Sequence, residues 1–346
     1  MRHSTALVVN GNRLPFEPPS PPVPRTVPLG ANARLSREHD RLLETFLRVV
    51  RIAGSHWGNT LQDLYLGMAL MALLSAGTFA LGIGLARGHH WIGNGLAIAT
   101  VLLTILYVRF FWDDIRLARL VPVSNLIIVG NGLPLMSTFL AGIVWRRIRH
   151  WRRFVGVTAL WIAGLYALAS PLLARTPTCS TNWENIDDFG MRVCIQTTPA
   201  TCTPACAATL LGLYGIDTTE SEMARLCLTS SNGTNWAGLY HGLKAKTRDT
   251  PWDVVVLAGS LKELRGPVII SVGLPHDVAP DSYYRTKWIW NPGEQHSVIL
   301  LGINSKGLLQ IVDPAPEIGG ETWFPQDLGV LWRGQGMALV RRDSTH

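Results

Sequence analysis

Apolar windows of membrane length succeed one another through the first half of the chain. Leu64–Ala86 runs 23 residues without a charge, Trp91–Trp112 is interrupted only by Arg109, Leu120–Trp145 runs 26 residues, and Phe154–Ala174 runs 21. About 20 apolar residues of helix span the hydrocarbon core of a bilayer. The pattern therefore predicts an all-α membrane region of about four transmembrane helices over residues 61–175. Asn125, Asn131 and Pro134 within the third window suit a kinked or partly re-entrant segment. Such a segment needs neighbouring helices to satisfy its freed backbone groups. The first window lies too far into the chain to be a cleavable signal peptide.

Two different patterns precede these windows. Residues 14–28 contain seven prolines, and a disordered or polyproline-like tail is expected over 1–35. Residues 36–60 follow, with an amphipathic helix expected at Ser36–Ile52. Ser36 is the N-cap there, and Leu42, Leu43, Phe46, Val49 and Val50 fall at helical spacing. Its apolar face would lie on the membrane or on the bundle.

After residue 176 the period changes. Ala205, Leu210, Leu211 and Leu213 give a helix that opens near Cys202 and ends at Gly215. Thr219–Leu226 reads as a second helix, with Glu222 in a capping-box position. Trp236–Lys244 reads as a third. The chain then turns β-rich, with strands expected at Trp252–Leu257, Val268–Val272, His296–Ile303 and Leu308–Val312 and an alternating stretch at Lys287–Trp290. Helices first and an antiparallel sheet after make residues 176–346 an α+β domain.

Charge sharpens this division. Residues 1–183 hold 18 arginines, no lysine and seven acids, whereas 184–346 hold 13 lysines and arginines against 17 acids. Between Leu64 and Trp183 the only acids are Asp113 and Asp114, which excludes an ordinary water-exposed domain there. The basic balance belongs to the membrane half, and the second half has no basic stripe interleaved with aromatics. Nucleic acid is therefore not an expected partner. The windows carry few ionisable residues, which argues against a transport pathway. The expected partners are the lipid bilayer and a peptide or protein substrate.

Arginines flanking the spans are equal in number for the two orientations, so the positive-inside rule is tied. The cysteines favour the outer face. All five follow the last window: Cys179, Cys194, Cys202, Cys206 and Cys227. An odd count fits two disulfides and one free thiol. Cys179 with Cys194 and Cys206 with Cys227 are candidate bridges, and bridges imply an oxidising compartment. The Cys202–Cys206 spacing recurs nowhere else, so no zinc site and no cofactor is expected.

Cys202 falls at or just before a helix start, where the dipole and free N–H groups favour a thiolate. Gln196, six residues earlier, supplies a side-chain amide able to donate to an oxyanion. His296 opens a strand. The hairpin turn at Asn304–Gly307 brings it beside Asp313, 17 positions later. A carboxylate there holds the imidazole in one tautomer and stabilises its cation. Cysteine, glutamine, histidine and aspartate in this order compose a thiol site of the papain type.

At these residues the chain resembles the bacteriocin-processing, double-glycine-type cysteine peptidases, a papain-like family. The family pattern reads here as Gln196, five residues, Cys202-Thr203-Pro204-Ala205-Cys206 and Leu213-Tyr214-Gly215, then His296-Ser-Val-Ile-Leu-Leu-Gly302 and Asp313-Pro314. The resemblance covers about residues 190–342. It implies Cys202 as nucleophile, Gln196 as oxyanion-hole donor, His296 as base and Asp313 as its orienter, with cleavage after small residues such as Gly-Gly.

Thr203 stands where the family usually has glycine, and a β-branched residue there is expected to crowd the oxyanion site or alter specificity. The domain follows the membrane windows, and no ATP-binding transporter segment follows it in the sequence. A stand-alone, membrane-anchored thiol protease is expected, in a bacterial inner membrane with its catalytic domain on the outer face. The alternatives are an inactive peptide-binding domain on the same anchor, and acyl transfer or transpeptidation by the same thiol.

Overall fold

The computed structural model describes residues 60–112, 114–148, 151–173, 175–260, 264, 266–279, 281–286, 288 and 290–342. The proline-rich tail and the amphipathic helix expected at Ser36–Ile52 lie outside the described residues. So do Lys287 and Ile289 of the expected alternating stretch.

The apolar windows form α1 (Thr60–Leu85), α2 (His90–Phe110), α3 (Leu117–Leu120), α4 (Leu126–Val129), α5 (Leu133–Arg147) and α6 (Trp151–Leu173). Four stretches are long and apolar enough to cross a membrane: Gln62–Leu85, His90–Phe110, Leu126–Arg147 and Trp151–Leu173. They expose Leu73, Ile98, Leu102, Ile162 and Leu165 on their outer surfaces. Gly82 of α1 and Gly142 of α5 meet backbone to backbone, and a Cβ on either would run into the other helix. Small residues allow that approach where lipid gives no hydrophobic drive for helix association.

The third window is broken at Gly130–Gly132, between α4 and α5, and the exposed backbone groups are accounted for. Tyr107 donates its hydroxyl to Gly130 O (2.9 Å) and accepts from Gly132 N (3.1 Å). Asn131 Oδ1 accepts from Leu133 N (3.1 Å), so Pro134 sits in a first helical turn, where its missing N–H costs nothing. Asn131 Nδ2 donates to Ala167 O (2.8 Å), the carbonyl that Pro171, four residues on, cannot serve.

The C-terminal half begins with the hairpin β1 (Asn182–Ile186) and β2 (Met191–Ile195). The helices α7 (Cys202–Leu213), α8 (Glu220–Leu226) and α9 (Trp236–Thr247) follow. Then come β3 (Trp252–Ala258), β4 (Val268–Gly273), α10 (Tyr283–Thr286), β5 (Gln295–Ile303), β6 (Leu309–Asp313), β7 (Gly319–Trp323), α11 (Pro325–Leu331) and β8 (Trp332–Arg341). Six strands form one antiparallel sheet in the order β3-β8-β4-β5-β6-β7. This is the α+β arrangement of helices before an antiparallel sheet.

Every residue of β4 is buried, as an inner strand covered on both faces requires. Alternate residues sort into two cores. Ile269, Ile299, Val312 and Met337 join Leu210 and Leu239 of the helices. Val268, Ile270, Val298, Leu300 and Ile311 join Trp323, Leu328 and Leu331 on the other face. The N-cap of α8 is Thr219, whose Oγ1 accepts from Glu222 N (3.1 Å). The expected capping box is only half made, because the Glu222 carboxylate turns to Thr218 and Lys246 instead.

The segment between α2 and α5 departs from the expected boundary at residue 175. Ile115, Ala118, Val123 and Leu126 are buried in the same core as Val193, Leu210, Leu239 and Val254. Arg119 Nε donates to Val256 O (3.2 Å) on the edge strand β3. The start of the 120–145 window is thus apolar because it packs into the C-terminal domain. Hydropathy cannot distinguish that burial from burial in lipid.

Candidate active site

Cys202 is the first residue of α7, and Thr201 stands at the N-cap position without a side-chain capping bond. The loop before it is pinned by a local turn. Thr198 N donates to Thr201 Oγ1 (3.1 Å), and Thr201 Oγ1 donates to Thr198 O (2.9 Å). Fully buried Glu220 reaches in from the start of α8, where its Oε1 accepts from Thr197 N (2.9 Å) and Thr197 Oγ1 (3.1 Å). Gln196 N donates to Pro314 O (2.7 Å), fastening this loop to the residue after Asp313. Gln196 Nε2 donates to Thr198 O (3.1 Å). An amide nitrogen carries a second N–H, which is the group able to serve an oxyanion.

His296 is the second residue of β5 and Asp313 the last of β6. Antiparallel pairing sets His296 Nε2 2.8 Å from Asp313 Oδ1. With Nε2 engaged by the carboxylate, Nδ1 is the nitrogen left to exchange a proton with a thiol. The Trp290 ring packs edge-on to the imidazole at 6.1 Å between centres and shields this pair.

Two further contacts fix α7 against β5. Thr203 Oγ1 and Ser297 Oγ are 2.8 Å apart and buried, and Cys206 Sγ donates to Ser297 O (3.2 Å). Ser297 follows His296, so these bonds set the height of Cys202 beside the imidazole. The Thr203 hydroxyl is thus engaged with the sheet. Neither Ser297 nor Glu220 was legible as a site residue, since a serine within a strand and a glutamate in a helix's first turn are common features. Thr203→Val keeps the shape but leaves the Ser297 hydroxyl unpaired in the interior. The expected cost is about 1–3 kcal/mol of folding stability, read by urea unfolding. An unchanged midpoint would remove this bond from the account.

The electrostatics single out one thiol. Burial alone would push Cys202 up, but hydrogen bonding to His296 and the charge of its imidazolium outweigh it and hold the thiol below its ordinary value. Burial would depress His296, yet Asp313 and Cys202 raise it to about 10. Burial pushes Cys179 and Cys206 up, and carries Cys194 to about 12 and Cys227 higher still.

All five cysteines are free thiols. Cys206 is committed to Ser297, whereas Cys227 packs against Gly242 of α9, so the expected pairing of these two is not made. Cys179 and Cys194 are likewise unbridged, and the compartment argument built on disulfides loses its footing. Among the described residues no group of three or more His, Cys, Asp or Glu side chains is arranged to hold a metal ion.

No protein-family model matches the chain, and no curated protein matches it. Solved structures similar to it include the peptidase domain of Streptococcus ComA, a bi-functional ABC transporter involved in a quorum sensing pathway. That domain is 18% identical, with 43% of this chain and 96% of that chain covered and a TM-score of 0.32. The peptidase domain of Streptococcus mutans ComA is 17% identical, over 43% of this chain and 98% of that one, with a TM-score of 0.29. A double glycine motif protease from an AMS/PCAT transporter, in complex with the leader peptide, is 19% identical, over 49% and 94%, with a TM-score of 0.32. The functional reading rests on the site's own geometry.

Proposed function

We propose that this chain is a membrane-anchored cysteine peptidase acting through Cys202, His296 and Asp313, with Gln196 in the oxyanion hole. The Cys202 thiolate attacks the peptide carbonyl, and the backbone N–H of Cys202 and the Gln196 amide hold the oxyanion. The C–N bond breaks as the His296 imidazolium gives its proton to the leaving amine, which leaves a thioester on Cys202. Water then attacks the thioester, His296 takes its proton, and the acid product departs as the C–S bond breaks. Asp313 keeps Nε2 occupied throughout, so that Nδ1 carries the proton traffic. Cleavage after small residues such as Gly-Gly follows from the family resemblance. The observation that carries this reading is geometric: His296 Nε2 lies 2.8 Å from Asp313 Oδ1, and Ser297, the next residue, is held by Thr203 and Cys206 of the helix that Cys202 opens.

The pH dependence of kcat/KM tests it. Cys202 must be ionised, so the acidic limb should fall below the ordinary thiol value of 9.0. His296 must be protonated to release the amine, so activity should decline again as pH rises through about 10. A bell is expected, with its acidic limb below 9.0 and its alkaline limb near 10. A single rise centred at or above the ordinary thiol value would sink the ion-pair assignment.

The four long helices cross a bilayer in this reading. The start of α1, the ends of α2 and α6 and the start of α4 then share the face that carries the catalytic domain. The opposite face holds the loops joined by Arg147 Nη2 donating to His89 O (2.9 Å). By sequence the arginines of residues 87–153 on that face are matched in number by those flanking the spans on the domain's face, so charge sets no orientation, and the outer position proposed for the domain is decided by labelling. In intact cells a membrane-impermeant thiol reagent should label Cys202. Labelling only after permeabilisation would place the domain inside.

A further inference from the structure

A cavity of about 690 Å³ opens where the ends of the apolar helices meet the C-terminal domain. Its volume falls within the ~300–1,000 Å³ typical of small-molecule sites. None of Cys202, His296, Asp313 or Gln196 lines it. One wall is apolar, with Phe111 and Trp112 just past α2, Leu120 at the end of α3, and Leu126. The other comes from the α8–α9 loop and is uncharged and polar, through Ser230 and Asn232. Arg116 and Asp114 also line the cavity.

Three features decide what fits. Phe111, Trp112 and Leu120 are largely exposed and continue the apolar surface of Phe110 and α2, so an alkyl chain can pass from that surface into the cavity. The ends of α2 and α6 contribute Tyr107, Trp112 and Pro171, which sets the mouth at the depth where aromatic side chains meet lipid headgroups. Arg116 is an exposed guanidinium whose Nε donates to Asp114 Oδ2 (2.6 Å) and whose Nη2 also bridges it. A guanidinium has five N–H donors, so donors remain for phosphate oxygens, while Asp114 complements a headgroup ammonium.

We propose that this cavity is a phospholipid site, with an acyl chain between the α2 end and the α8–α9 loop and the headgroup phosphate at Arg116. It rests on the membrane-spanning reading above but not on the peptidase chemistry. A lipid held there would bridge the anchor to the catalytic domain through a wall that bulk bilayer lipid does not reach.

The test uses the full chain in nanodiscs doped with phosphatidylethanolamine carrying a photoreactive group in its acyl tail. Adducts mapped by mass spectrometry are expected on residues 228–237 of the domain as well as on 107–112. Asn232→Trp, at an exposed rim position, and Ala237→Phe should each lower the 228–237 adducts about tenfold while leaving those on Ile162 and Leu165 unchanged. Arg116→Gln should weaken retention of the lipid in native mass spectrometry, with Arg116→Lys restoring part of it. Adducts confined to Ile162, Leu165 and similar outer positions would overturn the proposal. So would adducts on 228–237 that ignore both blocking variants, or protection of that loop by an apolar substrate peptide but not by lipid. A chain that stays in solution without detergent would overturn the membrane reading itself, which is distinguishable because no residue would then be labelled.

Discussion

Cys202→Ala is expected to lower peptide hydrolysis by about 10³-fold or more while leaving the unfolding transition in place. The alanine removes the only thiol whose ionisation the fold favours. Cys179, Cys194, Cys206 and Cys227 are all pushed the other way, so none can substitute. His296→Ala should come close to the same loss, because it removes both the proton carrier and the charge that lowers the thiol. The double variant should be little worse than either single one, since the two residues act as a unit. Gln196→Ala should cost less, about 10²–10³-fold, and should fall on kcat, because an oxyanion donor acts mainly in the transition state. Labelling with a peptide-like thiol electrophile separates these cases. Cys202 should be modified quickly in the wild type and slowly in His296→Ala, whereas Gln196→Ala should keep fast modification. Equal labelling of wild type and His296→Ala, with no hydrolysis by either, would favour the peptide-binding alternative.

The site was more legible in the sequence than the scaffold around it, and the reason is physical. A thiol at a helix start and a histidine one hairpin away from an aspartate are relations of short sequence distance. Strand geometry and turn length fix them. The spacing from His296 to Asp313 puts the two side by side, and the structure has them hydrogen-bonded. Contacts that cross the fold leave no such mark. Thr203 meets Ser297 over 94 positions, and nothing local announces a serine that two residues of α7 will hold. The strands β1, β2, β7 and β8 leave no clear mark in the sequence either. Glu184, Arg192, Glu321 and Arg333 interrupt their apolar pattern, and Gly319, Gly320, Gly334 and Gly336 weaken it. The third apolar window misled for another reason. Its first residues are as apolar as a span, yet they fill a gap beside Leu239 and Val254.

Asp63→Ala is expected to destabilise the protein by about 3 kcal/mol. Asp63 stands at the base of α1, is 1% exposed and carries a charge that hydropathy alone would place at the edge of a span. Its Oδ2 accepts from Arg248 Nη2 (2.5 Å), just beyond α9, and from Ser124 Oγ (2.9 Å), before α4. Its backbone oxygen accepts from Asn125 Nδ2 (3.1 Å). His241 Nδ1 lies 2.8 Å from Ser124 O, and burial lowers its pKa so that it stays neutral beside the Arg248 charge. One carboxylate thus joins α1, the segment before α4 and the C-terminal domain. Breaking a buried ion pair from one side costs more than the pair itself contributes, because the remaining charge keeps its desolvation penalty. Water reaches Arg248, whose side chain is 28% exposed, which holds the cost to the lower end of the range for buried pairs. Asp63→Leu combined with Arg248→Met should therefore be less damaging than Asp63→Ala alone. Thermal unfolding in detergent reads the stability, and limited proteolysis of the Arg175–Thr181 connection reads whether the domain comes away from the anchor. If Asp63→Ala melts with the wild type and the connection stays protected, the hold lies elsewhere, in the packing of Ile115, Val123 and Leu126 into the domain core.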